Sequence, residues 1–373
     1  MKHPFVVAEI GTAHGGDINK AKDLIDAAVS AGADCVKFQI VYADEILHYN
    51  SGIVPLPGGN IPLYDTFKKL ESSPEFFALI KEYAESKKVV FLASPFGLKS
   101  AGELKALKPA CVKIASPELN YAQLLREIAF WHIPVFLSTG VSLLKDIEAA
   151  LAIFAAANSL NDVTLLHCIT AYPAPAEEYN LNLLPNLESI FGVKTGVSDH
   201  TLDPVLVPVL ALCKGATVIE KHFCLNRKDG GLDDPIALNV CEFEKMTSAL
   251  RDASRLLLAA KTNLQGAEAV IASLEEEYGK KRVERVLGNG RKQLALAEAA
   301  NYGRTNRSIH ALCEIKKGEV FSGGNLAVLR TEKVLRPGVE PAFLPHLIGR
   351  SAARLIPSGE GVRWEDVGTY ISE

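Results

Sequence analysis

The sequence predicts a (β/α)8 TIM barrel followed by a small, turn-rich C-terminal domain. Three observations carry that prediction. Eight short apolar runs rich in β-branched residues occur in the first two-thirds of the 373-residue chain. Each is followed by a stretch with 3.6-residue apolar periodicity, such as 19–32 and 122–132. Strands that are almost continuously apolar and separated by helices pair in parallel and are buried on both faces. Eight such units across about 250 residues make up a closed barrel. A doubly wound open sheet is the competing architecture. It usually has fewer strands and often a Gly-rich first turn, and GTAHGG at 11–16 does not give GxGxxG.

The elements follow in order. The first run, FVVAEIG (5–11), carries Glu9, and the second, DCVKFQI (34–40), carries Lys37 and Gln39. A Pro- and Gly-rich insertion spans 41–66, and long loops at this end of a barrel commonly cover the site. The third run, VVFLASPF (89–96), offers Ser94, and the fourth, CVKIASP (111–117), offers Lys113 and Ser116, with Glu118 just beyond. PVFLSTG (134–140) brings Ser138, and VTLLHCI (163–169) brings His167. KTGVSDH (194–200) ends in Ser198, Asp199 and His200, and TVIEKHF (217–223) carries Glu220 and His222. The barrel domain is expected over 1–265. The charged, irregular stretch 266–306 reads as a helical linker. Residues 307–373 change style, with short strand-like pieces and dense Gly and Pro turns.

Composition excludes several classes. Hydrophobic residues are 48% and charged residues 23%, which rules out a disordered or low-complexity chain. A net charge of −4 and a pI near 6.2 give nothing to draw the chain to nucleic acid or to an anionic membrane. No apolar stretch approaches the roughly 18 residues of a transmembrane helix, and the first residues do not read as a signal peptide. The seven cysteines are odd in number, lack CxxC spacing and mostly sit in apolar runs. These features predict a reduced, cytoplasmic protein.

In a barrel of this kind, function sits at the C-terminal ends of the strands. A lone Lys or Ser there is usually a solvated rim residue. Lys37 and Lys113, however, lie inside apolar strands, where a buried ammonium costs several kcal/mol unless an anion meets it. With hydroxyls from Ser94, Ser116 and Ser138 they describe a pocket for a small, highly charged anion such as a phosphorylated carboxylate. His200 and His222 are 22 residues apart, about one βα unit, and so end neighbouring strands. Such a pair can share one divalent metal, and is a core or acid–base pair about as often. His14 in the first βα loop could also face the site; His48, His132, His310 and His346 receive no role.

Taken together, AEIGTAHGGDINKAKDLIDAAVSAGADCVKFQ (8–39), SPFG (94–97), KIASPELN (113–120), STG (138–140), LLHCITAYPAP (165–175), GVSDHT (196–201) and IEKHF (219–223) resemble the sialic acid (N-acetylneuraminate) synthase family. RSIHALCEIKKGEVFSGGNL and RPG resemble that family's C-terminal antifreeze-like (SAF) domain. The resemblance covers nearly the whole chain, in order. It implies condensation of phosphoenolpyruvate with an aldose, commonly N-acetylmannosamine or a related 2-acetamido sugar. The products are a 2-keto-3-deoxy nonulosonic acid and phosphate. It implies a divalent metal, usually Mn²⁺ with Mg²⁺ as the alternative, on His200 and His222. Phosphoenolpyruvate would be held by Lys37, Ser94, Lys113, Ser116, Ser138 and Ser198, and the acceptor would meet Glu9, Gln39, Tyr172 and Asp233. An arginine from the partner's C-terminal domain would complete the site in a domain-swapped homodimer. Arg336 in RPG is the expected residue, with Arg330 in a similar register six positions earlier.

That chemistry needs a polarised aldehyde, neutralised phosphate and carboxylate groups, and a proton-transfer group for the attacking water. Glu9 and Glu118 are the candidates for the last task. Four departures from the family pattern bear on the acceptor more than on phosphoenolpyruvate: Ala13 and Gly15 where Asn is usual, Thr170 for Asn, Pro117 for Gly, and Gly231-Leu232-Asp233-Asp234 for a GPDH-like segment. Two other readings compete. One is a different metal-dependent phosphoenolpyruvate aldol synthase or an aldolase. The other is a non-catalytic sugar- or ice-binding protein, which leaves a barrel with buried lysines unexplained.

Overall fold

The computed structural model describes residues 3–56 and 59–370. The eight apolar runs become eight parallel strands: β1 (Phe5–Gly11), β2 (Cys35–Ile40), β3 (Val90–Pro95), β4 (Val112–Ile114), β5 (Val135–Ser138), β6 (Val163–Cys168), β7 (Lys194–Asp199) and β8 (Val218–His222). Their order in the sheet is β3-β2-β1-β8-β7-β6-β5-β4. The sheet curls until β3 and β4 lie against each other, giving the expected barrel, nearly closed. Register sets the site: Glu9 pairs with Lys37 on one side and His222 on the other, and Glu220 pairs with Ser198.

The helices between strands are amphipathic. Ile18–Ser30 buries Ala21, Leu24, Ile25 and Ala28, a 3.6-residue stripe, and Asp17 caps its start by accepting from the backbone N–H of Asn19 and Lys20. The last barrel helix, Val240–Ala259, opens with a reciprocal Asn239–Glu242 capping box. The described residues of 41–70 are folded rather than loose. Helix Ala43–Ile46, the hairpin Ile53–Leu56/Gly59–Pro62 and helix Leu63–Leu70 share a small apolar cluster with Phe96 above the barrel mouth.

The stretch expected as a linker lies against the barrel. Helices Asn263–Tyr278 and Lys280–Leu287 bury Val270, Leu274, Val283 and Val286. The next turn is held by three asparagine side chains, Asn180, Asn182 and Asn186, each donating at 2.8 Å to the carbonyls of Arg291, Gly288 and Gly290 respectively. Gly288 and Gly290 have φ of +62° and +76° and abut these asparagines, so a side chain at either position meets both strain and a clash. The C-terminal domain pairs β9 (Arg307–Ala311) with β10 (Leu326–Arg330) and β11 (Arg350–Ala352) with β12 (Val367–Tyr370), both antiparallel. Ile309, Ile315, Phe321 and Val362 form its core. It sits over the barrel mouth, where Asn120 clasps the Arg307 backbone and His48 bonds Leu312 O at 3.1 Å.

Candidate active site

The polar residues at the strand ends form one connected set. The Lys37 ammonium stands 3.0 Å from Glu220 Oε1 and 3.2 Å from Glu9 Oε2, all three nearly inaccessible to solvent. Ser198 Oγ donates to Glu220 Oε1 at 2.9 Å, and Gln39 Nε2 donates to Glu9 Oε1 at 2.7 Å. Lys113 donates to Ser138 Oγ at 2.7 Å and lies 3.6 Å from Glu220. Ser116 Oγ accepts from Gly140 N–H at 3.0 Å. Lys37, Lys113, Ser116, Ser138 and Ser198 thus converge, and Ser94 adds a buried hydroxyl with no hydrogen-bond partner among the described residues.

Electrostatics divides the carboxyls. Burial would raise the Glu220 pKa, but Lys113 and Lys37 outweigh it and hold the group down to about 2. Burial pushes Glu9 up to about 7 despite Lys37, with Glu220 adding to the rise. Asp233 is raised to about 6, again by burial. Lys37 is raised because Glu220 and Glu9 overcome its burial, whereas burial dominates at Lys113 and lowers it. The site therefore contains one firmly ionised carboxylate between two lysines, and one buried carboxyl titrating near neutrality. Buried Glu118 Oε2, Thr170 Oγ1 and Glu220 Oε2 also lack hydrogen-bond partners among the described residues, a concentration that native interiors usually avoid unless a ligand fills it.

His200 and His222 come together as expected, with ring centroids 5.4 Å apart and Tyr172 stacked on His200 at 4.3 Å. His200 Nδ1 donates to Ile169 O at 2.8 Å, which leaves Nε2 as the lone pair. Burial lowers both imidazole pKa values, keeping the rings neutral as ligands require. Asp233 Oδ2 lies 3.8 Å from His222 Nδ1. No group of three or more His, Cys, Asp or Glu side chains among the described residues is gathered tightly enough to hold an ion alone. Two neutral imidazoles beside a carboxylate fit a divalent ion whose remaining ligands are substrate or water oxygens.

The two expected acid–base carboxyls diverge. Glu118 is fully buried, and its Oε1 accepts from Nε and Nη2 of both Arg307 (3.0 and 2.9 Å) and Arg330 (3.1 and 2.8 Å). It ties the C-terminal domain to the barrel. The structure does not bring Arg336 to the site: its guanidinium bonds Asp366 at 2.5 Å and Gly361 O at 2.9 Å within the C-terminal domain. Arg330, at the end of β10, lines the cavity with Gln39, Tyr172 and Asp233 instead. His14 is buried against Phe38 and Phe76, and His167 bonds Tyr179 O at 2.6 Å.

Four supporting residues lay outside the predicted set. The sequence marks Glu220 as a strand-end carboxylate near the histidine pair, and the structure sets it between Lys37 and Lys113 instead. Lys221 points the other way, as strand alternation demands, and donates to Asp199 Oδ2 at 2.6 Å and Thr201 O at 2.5 Å, fixing both neighbours of His200. Glu298 Oε2 accepts from Val141 N at 2.9 Å and Thr170 N at 2.7 Å, joining the loops after β5 and β6. Arg307 reaches Glu118 across 189 positions. No local pattern marks the last two.

The chain is similar to known proteins along nearly its whole length. Residues 24–262 match the NeuB family and residues 306–368 the SAF domain. The chain is 30% identical to the N,N'-diacetyllegionaminic acid synthase of Campylobacter jejuni over 97% of this chain and all of that protein. The crystal structure of the spore coat polysaccharide biosynthesis protein SpsE of Bacillus subtilis aligns with a TM-score of 0.80 at 32% identity, covering 99% of this chain and 96% of that one. An N-acetylneuraminic acid synthetase from Leptospira borgpetersenii aligns with a TM-score of 0.64 at 30% identity, over 75% of this chain and 93% of that one.

Proposed function

The chain belongs to the NeuB family of nonulosonic acid synthases, and from that premise we propose that it condenses phosphoenolpyruvate with a 2-acetamido aldose, releasing phosphate. The observation that carries this reading is the buried Lys37–Glu220–Lys113 group with its ring of serine hydroxyls. Two ammoniums balanced by one ionised carboxylate leave a positive surplus for a compact anion. Phosphoenolpyruvate fits that surplus, and neutral aldoses do not need it.

In the proposed reaction the C3 carbon of phosphoenolpyruvate forms a bond to the acceptor's aldehyde carbon. Water then adds at C2, and the C2–O bond to phosphate breaks. Lys37 and Lys113 offset the anion's charge and set its orientation. Gln39 and Asp233 border the acceptor cavity, and the Tyr172 ring forms its floor beside the imidazoles. Glu9 suits proton exchange with water, because burial leaves it titrating near neutrality, while Glu118 has its Oε1 committed to two guanidiniums. A divalent ion, Mn²⁺ or Mg²⁺, held by His200 and His222 would supply Lewis-acid polarisation of the aldehyde. The proposal includes a homodimer with exchanged C-terminal domains and a reducing, cytoplasmic setting, the latter supported by seven free cysteine thiols.

The test is phosphate release from phosphoenolpyruvate with Mn²⁺ and a panel of aldoses. Acceptor-dependent release supports the reading. Consumption of pyruvate without phosphate release would identify an aldolase, and binding of sugar without turnover would identify a binding protein.

A further inference from the structure

The acceptor side of the site holds one carboxylate that no step above uses. Glu332 follows β10, two residues after Arg330, and lines the same cavity of ≈ 220 Å³ as Tyr172 and Asp233. Its side chain belongs to a residue only 5% exposed. Among the described residues nothing hydrogen-bonds or ion-pairs with its carboxylate, although Arg330 and Lys333 are close enough to act on it through space. The Glu332 oxygens are not among the sealed, unpartnered ones such as Glu118 Oε2 and Glu220 Oε2, so what they meet is whatever occupies the cavity.

The backbone there is unusual too. Glu332 has φ of +56°, a left-handed conformation that disfavours any residue with a Cβ. It is enforced from beneath. Arg304 O accepts from the N–H groups of Thr331 and Glu332 at 3.0 and 3.1 Å, and Arg304 Nη1 donates to Glu332 O at 3.2 Å. Thr331 Oγ1 is locked in turn to Ser308 and His310. A strained conformation that its surroundings over-determine, presenting an unpaired carboxylate to a cavity, is the pattern of a ligand contact. The apolar part of the cavity lining includes Val54, Leu63, Phe67, Phe96, Leu232 and Ile236, and Arg330 and Lys333 bring positive charge to it. Two residues of the cavity lead to the imidazoles, where the aldehyde would react: Tyr172 stacks on His200, and Asp233 Oδ2 lies 3.8 Å from His222 Nδ1. Glu332 comes instead from the C-terminal domain over the barrel mouth, and in this reading it meets the other end of the acceptor.

We propose that Glu332 is a specificity-determining residue: it accepts a hydrogen bond from a hydroxyl or acylamido N–H at the acceptor's far end and turns away acceptors phosphorylated there. This rests on the synthase reading and deepens it. The selection against phosphate follows from charge. A phosphate brought toward the Glu332 carboxylate is repelled by it, and the two cations lining the cavity are already engaged, Arg330 with Glu118 and Lys333 with Asn301.

The experiment uses the full-length protein and the variants Glu332→Gln and Glu332→Asn, the latter chosen because Asn tolerates the left-handed backbone. Phosphate release is measured with N-acylated amino aldoses and with the same sugars phosphorylated on the terminal carbon. Binding of each sugar is measured separately by calorimetric titration. We expect KM for the unphosphorylated acceptor to rise about tenfold, the loss of one hydrogen bond to a charged group. KM for phosphoenolpyruvate should stay within about twofold, and the preference against phosphorylated acceptors should narrow. Unchanged acceptor KM and Kd in both variants, with wild-type turnover intact, would overturn the inference and leave the synthase reading standing. If the wild type releases no phosphate with any acceptor, the synthase reading fails and the titrations decide Glu332: weaker sugar binding in the variants upholds its role, and equal or absent binding ends it.

Discussion

Lys37 and Glu220 meet at 3.0 Å inside the barrel, 183 positions apart in the chain, with the second lysine, Lys113, 3.6 Å from the same carboxylate oxygen. The pairing is unequal. Lys37 is held from two sides, by Glu220 and by Glu9, whereas Lys113 has the longer contact and a serine hydroxyl. Removing Lys37 would strand two carboxyls, and breaking a buried pair typically costs about 3–5 kcal/mol of stability. Lys113 is the cleaner probe of anion binding.

Lys113→Met is expected to raise KM for phosphoenolpyruvate by roughly 10- to 100-fold, the equivalent of about 1.5–3 kcal/mol for a lost charge-assisted hydrogen bond. Lys37→Met should show a comparable rise together with a lower unfolding midpoint in urea. Steady-state titration with phosphoenolpyruvate and an unfolding curve for each variant check both statements. A normal phosphoenolpyruvate KM in the Lys113 variant would remove the lysines from the anion site.

His200 and His222 lead to a metal prediction. Their rings stand 5.4 Å apart with Asp233 Oδ2 3.8 Å from His222 Nδ1, so chelator treatment should abolish phosphate release and added Mn²⁺ should restore it. His222→Ala should lose activity and also lose bound metal by elemental analysis. A strand-end ligand contributes little to the core, so the variant's circular dichroism should match that of the parent. Full activity after exhaustive chelation would exclude the metal.

The strands, and with them Glu9, Lys37, Lys113, His200 and His222, are legible in the sequence because barrel register is set by short-range patterns. Apolar runs fix each strand, and the fold then fixes which ends meet. What sequence does not encode locally is the partner of a buried charge. Glu220 is one of several strand-end polar residues until Lys37 and Lys113 are seen to flank it. Arg330 and Arg336 cannot be ranked from spacing alone, because the choice depends on which way the chain turns after β10. Glu298 and Arg307 bond to groups more than a hundred positions away, and helical or strand periodicity says nothing about either.

Three buried histidines outside the metal pair predict acid sensitivity. Burial lowers His14 to about 4, His167 to about 3 and His310 to about 4. Each binds a proton less readily folded than unfolded, so its stabilisation is present above about pH 6.5 and is lost as pH falls through about 4. Glu9 and Asp233, raised to about 7 and 6, act in the opposite sense: their contribution is present below the ordinary carboxyl range and fades as pH rises through those values. With three histidines against two carboxyls, urea stability should fall between pH 6.5 and 4. His310→Gln, which removes one such group, should flatten the decline by up to about 3 kcal/mol. Parallel pH profiles for variant and parent would dismiss the histidine account.

Arg330 bears on which chain completes which site. In the single chain its guanidinium crosses from the C-terminal domain to Glu118 of the barrel. Exchange of identical domains between two copies preserves every such contact, only between chains instead of within one. A domain of about 60 residues has a small core and gains stability by docking. The residues at 288–291, held to the barrel by three asparagine side chains, offer a place for the crossing. Arg330→Ala and His222→Ala chains are each expected to be inactive. Mixed under conditions that allow subunit exchange, they should regain activity if the arginine acts in trans, because one site of each heterodimer then carries both defects and the other carries neither. Arg336→Ala should keep acceptor turnover wherever its domain stays folded, since its guanidinium serves Asp366 and Gly361. Verified heterodimers of the Arg330 and His222 variants that remain inactive would assign the arginine to its own barrel and dismiss the exchanged dimer, while the lysine and histidine chemistry of that barrel would be unaffected.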